Sequence, residues 1–127
     1  MQDPQENAAL TVDLVRAFAK EVASVTPTWQ RAFLRFAKST GVTEAKASYV
    51  GPAGTNILNV LEHKTFFHWV TETAERLFET QKATRPIKVA LLVLNADFSY
   101  EITYEHEDPQ RWTISKLNGG TGVPSGL

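Results

Sequence analysis

The sequence contains no cysteine. That excludes disulfides, thiolate nucleophiles and zinc–thiolate centres, and it fits a reducing cytoplasm, the expected location. Long apolar runs are missing too. The longest, residues 89–94, falls far short of the roughly 20 residues a membrane-spanning helix needs. The opening "MQDPQENAAL" has no basic region followed by a continuous apolar stretch, so no signal peptide is expected. Neither the Gly-x-Ser-x-Gly turn of serine hydrolases nor a phosphate-binding Walker spacing occurs, and "GPAGT" is followed by a predicted strand rather than a helix.

The most local absence is of positive charge. Between Lys88 and Arg111 there is no Lys or Arg, while Asp97, Glu101, Glu105, Glu107 and Asp108 give that window a charge of −5. The rest of the chain carries the 13 basic residues against nine acidic ones, so the net charge of −1 conceals an acidic zone. Such a zone repels phosphate and argues against nucleic acid as its ligand. It is compatible with a basic protein partner.

What is present is ordinary for one globular domain: 127 residues, 43% hydrophobic and 21% charged. Roughly two thirds of the unfolded surface can be buried at this length, so a core needs no covalent staples. A first helix is predicted over 3–24, with Asp3 as cap, Pro4 in the first turn and Leu14, Val15, Phe18, Ala19 and Val22 as its apolar stripe. Strands follow over 28–38, 43–50 and 55–61, separated by "STG" and "GPAG". In the first of them Trp29, Arg31, Phe33 and Arg35 share one face and Ala32, Leu34 and Phe36 the other. A second amphipathic helix is predicted over 64–82. Its neighbours Phe66 and Phe67 are not expected both to face fully inward.

Residues 87–94 are apolar on both faces, as in a central strand. "NAD" is a hairpin turn, and Phe98, Tyr100, Ile102 and Tyr104 alternate with polar residues over 98–105. A short alternating stretch, 111–117, gives a candidate sixth strand. The expectation is therefore an α+β fold of order α-β-β-β-α-β-β: an antiparallel sheet of five to six strands with two helices on one face. Residues 1–117 form the domain. The tail 118–127 is too rich in Gly and Pro to pack and is expected to be mobile.

"EHED", residues 105–108, holds metal-ligand residue types, but on a strand alternate side chains point to opposite faces. His63 and His68, five apart, fall on different sides of a helix, while His68 and Glu72, four apart, can pair. Glu101 and Glu105 are roughly 13 Å apart along a strand, beyond the roughly 10 Å limit for a pair of glycosidase carboxylates. No catalytic residue, metal or cofactor is assigned. The polar face of 99–105, set against Arg111, Thr113 and Ser115, reads as an uncovered surface, either solvated or a docking site.

The leading helix, the "TW" opening a strand, the aromatic second helix and "VALLVLNADFSYEITYEHEDPQRWTISKLNG" together resemble the YezG-like family of bacterial immunity proteins. The resemblance runs from the first helix to Trp112 and is carried by strand and turn patterns. It implies a small, non-enzymatic cytoplasmic protein that binds and neutralises a cognate toxin domain, in many cases a nuclease. The net charge of −1 is less acidic than is common for nuclease inhibitors. The expected docking residues are Glu101, Thr103, Glu105, Glu107 and Asp108, the four acids among them standing in for substrate phosphates, with Trp112 anchoring the edge. The competing readings are a small ligand-binding or enzymatic domain, with Tyr49, Tyr100 or His68 lining a pocket, and a secretion adaptor or chaperone. No nucleic-acid or membrane partner is expected, and the oligomeric state is left open.

Overall fold

The computed structural model describes residues 4–39, 41–80 and 86–127. Helix α1 spans Pro4–Val25 and α2 Lys64–Thr80. The strands are β1 (Arg31–Ser39), β2 (Val42–Gly51), β3 (Gly54–Ile57), β4 (Val89–Asn95) and β5 (Tyr100–Glu105). They form one antiparallel sheet in the order β3-β2-β1-β4-β5. This is the expected α+β fold, with five strands. Asp3 and Lys82, assigned to helix ends from the sequence, lie outside the described residues. No helix among the described residues is long and apolar enough to cross a membrane.

Both helices pack on one face of the sheet because their apolar stripes match its alternation. Leu10, Leu14, Phe18 and Val22 of α1 and Val70, Ala74 and Leu77 of α2 meet Ala32, Leu34, Phe36, Ala47, Leu92 and Leu94. The helices run antiparallel to each other. The start of α2 is tied to the end of α1 by His63 Nδ1 against Glu21 Oε2 at 2.5 Å, and Asn7 near the start of α1 donates to Thr80 Oγ1 at 3.1 Å. Phe66 and Phe67 are both buried, contrary to expectation. Phe66 stacks on Phe18 of α1 with ring centroids 6.0 Å apart, and Phe67 meets Phe66 edge-on at 5.3 Å. The helix–helix interface thus takes one ring and leaves room for its neighbour.

The other face of the sheet departs from expectation. Over β1 and β4 it is not an open polar surface. Phe33, Ala37, Val89 and Leu91 form a second core there with Trp112 and Ile114, which come from the chain after β5. Residues 111–117 contain no strand, so the sheet has no sixth member among the described residues. Instead the C-terminal segment crosses this face as irregular chain with one short 3₁₀ turn, Leu117–Gly119.

The tail, expected not to pack, does pack. Gly122 and Pro124 are buried, and Val123 lies against the second core. Ser48 Oγ, fully buried, donates to the Gly122 carbonyl at 2.6 Å, and Ser125 N donates to Thr113 O at 3.0 Å. The physical reason is that β4 is apolar on both faces, so leaving one side wet would expose Val89 and Leu91. Trp29 also differs from its assignment. The chain turns at 27–28 and β1 begins only at Arg31, so Trp29 lies ahead of the strand, and it joins the helix-side core.

Candidate partner-binding edge

The β4–β5 hairpin sets the geometry of the acidic zone. Phe98 N donates to the Asn95 carbonyl at 2.8 Å, and Asn95 N donates to Ser99 O at 2.9 Å. These bonds close a three-residue loop built on a type I turn followed by one left-handed residue. Glycine normally fills that left-handed place. Here Phe98 holds it at φ 71°, a conformation that costs a bulky L-residue roughly 1–2 kcal/mol. The side-chain hydroxyl and the backbone N–H of Ser99 both bond Asp97 Oδ1, at 2.6 and 2.9 Å, and these bonds lower the Asp97 pKa. Phe98 is left 64% exposed at the tip.

Beyond the turn, β5 ends the sheet and pairs only with β4 among the described residues. Asn95 and Ser99 form a hydrogen-bonded pair, and antiparallel ladders alternate. Ser99, Glu101, Thr103 and Glu105 therefore direct their backbone groups toward β4. Tyr100, Ile102 and Tyr104 direct theirs to the free edge. Their side chains lie on the helix side, where Ile102 and Tyr104 are partly buried against the main core. Burial raises the Tyr104 pKa, opposed by hydrogen bonds with Asn7 and Thr11.

Tyr100 and Phe98 reach less far inward and line an open groove of about 530 Å³. Its other walls are Val12, Val15, Ala19 and Ala23 of α1 and Trp29, with Arg16 and Lys20 as its charged residues. The groove was not foreseen from the sequence. The available signal was the aromatic residue directly after "NAD", in the place where such a turn takes glycine.

The six residues expected to dock a partner separate into four groups. Glu101 and Thr103 are exposed on the face opposite the helices. Glu105 is consumed locally. Its Oε1 accepts from Arg111 Nη1 at 2.7 Å, and its Oε2 accepts from the N–H groups of Glu107 and Asp108 at 2.9 and 3.2 Å. The Arg111 bond first, and then the two backbone bonds, hold its pKa down to about 2. Glu107 and Asp108 are exposed in the turn that Glu105 organises, and Asp108 Oδ1 accepts Gln110 N at 2.9 Å.

Trp112 is no edge anchor. It is 3% exposed, in the left-handed region at φ 60°, and packed into the second core. The same Arg111 guanidinium that pairs with Glu105 lies 4.5 Å from the Trp112 ring centroid.

The "EHED" residues do not converge. Glu105 turns to its own loop, while His106 Nδ1 faces the Pro86 carbonyl at 3.1 Å. Tyr49, Tyr100 and His68 do not share a pocket either. Tyr49 is in the main core, Tyr100 lines the groove, and His68 is exposed with Nε2 2.6 Å from Glu72. No known protein-family model matches this chain, and no curated protein is significantly similar to it.

Proposed function

We propose that this protein is a non-enzymatic immunity protein that binds and neutralises a cognate toxin domain, in the cytoplasm of the cell it protects. The observation that carries the reading is the placement of Glu101 and Thr103. They are exposed on the terminal strand of the sheet, in a window without Lys or Arg, and continue into the exposed turn bearing Glu107 and Asp108. A basic substrate cleft, such as that of a nuclease, is complementary to this surface, and the field speeds association. The resemblance to the YezG-like pattern over the same hairpin supports the same reading.

The test is co-expression. Candidate toxin domains, taken from the genes that flank this one, are induced in a sensitive host with and without the protein. Restored growth with the wild type, and a loss of restoration that deepens from Glu101→Ala to Glu101→Lys, is the expected result. Growth arrest that is indifferent to co-expression would sink the immunity reading. Glu101 is a cleaner probe than Glu105, whose removal also unties residues 107–111.

A further inference from the structure

We infer that the free edge of β5 receives an extended strand of the partner, about as long as β5 itself, whose side chains alternate between apolar and basic. The inference rests on the partner-binding reading above and adds the mode of docking. Three observations lead to it.

Among the described residues the edge is open and lightly defended. Tyr100, Ile102 and Tyr104 present backbone N–H and C=O groups outward, and β5 contains no Lys or Pro, the usual deterrents to strand addition. An added strand satisfies those groups with main-chain hydrogen bonds, while pockets on either side select its side chains.

The two sides of that edge carry opposite charge. On the helix side lies the apolar groove of Val15, Ala19, Trp29, Phe98 and Tyr100, with Arg16 and Lys20 beside it. Apolar side chains fit there, and cationic ones are repelled. On the opposite side Glu101 is exposed, and cross-strand pairs of opposite charge stabilise a ladder. Since successive side chains of a strand alternate sides, the two environments together specify an apolar/basic alternation.

The same charges disfavour a second copy of this chain. Antiparallel pairing of two β5 strands centred on Glu101 or Ile102 sets Glu101 of one copy opposite or diagonal to Glu101 of the other, and like charges so placed are destabilising.

The probe is an end-capped heptapeptide alternating lysine and valine, added to the full-length, isotope-labelled protein. A glutamate/valine heptapeptide is the control, and amide hydrogen exchange is the readout. The expected result is at least a tenfold slowing at the amides of Tyr100, Ile102 and Tyr104 with the lysine peptide only, with those of Glu101 and Thr103 unchanged. Glu101→Lys, an exposed substitution that leaves the core intact, is expected to remove that slowing. Absence of slowing at millimolar peptide overturns the inference, as does equal slowing by both peptides. Slowing that grows with protein concentration alone assigns the edge to a second copy and also overturns it. Toxin rescue with these amides unprotected removes strand docking and keeps the immunity reading. Protected amides without rescue do the reverse.

Discussion

Arg35 Nη2 donates to the Pro109 carbonyl at 2.8 Å, joining the central strand β1 to a loop 74 positions later. Its Nε donates to the Arg111 carbonyl at 2.9 Å, so a single guanidinium seats both ends of the turn that leads into Trp112. Arg35 is only 9% exposed. Burial lowers its pKa, partly offset by Glu44 and Asp108. Its buried charge is satisfied by the carbonyls it holds.

Replacing Arg35 with Met keeps much of the stem's packing and deletes both bonds. Two carbonyls lose a charged donor, so destabilisation of about 1–3 kcal/mol is expected. Urea unfolding measures it. Amide exchange should quicken first over 107–112, and unchanged exchange there would show that the turn is seated by something else.

Glu105 gives the protein an acid dependence of known sign. Its pKa is about 2 in the folded state against an ordinary 4.5. The folded state thus binds the proton more weakly than the unfolded chain does. The contribution is fully present above 4.5 and is lost as the pH falls toward 2. Glu105→Gln should therefore flatten the acid limb of the urea midpoint across that interval. Superimposable acid limbs for the two proteins would contradict the Arg111 and turn assignments.

The C-terminal cover is tested at Gly120 and Trp112. A Cβ at Gly120 would sit 2.2 Å from the Ser115 carbonyl oxygen, which is backbone and cannot rotate away. Gly120→Ala is expected to cost about 1–3 kcal/mol through overpacking. Trp112→Ala should cost about 3–5 kcal/mol, as for an aromatic removed from a core. Truncation after Asp108 would bare Phe33 and Leu91, with dye binding and aggregation as readouts. A truncated chain as stable and monodisperse as the wild type would exclude the second core.

Phe98→Gly separates stability from binding. Glycine relieves the left-handed strain but adds freedom to the unfolded chain, for a net gain of about 0.5–1 kcal/mol. The same change removes one wall of the groove, so the affinity of a docked strand should fall. A variant that is less stable and binds equally well would mean that Phe98 serves the fold alone.

The β4–β5 hairpin and the interdigitating helix stripes were legible in the sequence because each is a local periodicity: 3.6 in Leu14–Phe18–Val22, two in Tyr100–Ile102–Tyr104. The second core was legible in part. A strand apolar on both faces demands two covers, the helices supply one, and only the residues after β5 were left for the other. Reading Gly and Pro as a sign of mobility hid that conclusion. Glycine also permits a chain to lie close against a sheet, as Gly122 does at φ 92° beneath Thr55 and Lys116.

By itself the sequence determined the element order, the helix-facing residues and the acidic window, since these follow from spacing and composition along a short stretch of chain. Only the tertiary structure decided which acids remain available. Glu105 is spent on Arg111 and the 107–108 amides, while Glu101 stays in water. It also decided that Trp112 is core and that Phe98 and Tyr100 border α1. Those facts depend on groups distant in sequence arriving at one place, and on the free energy of covering both faces of one apolar sheet. No local pattern encodes either.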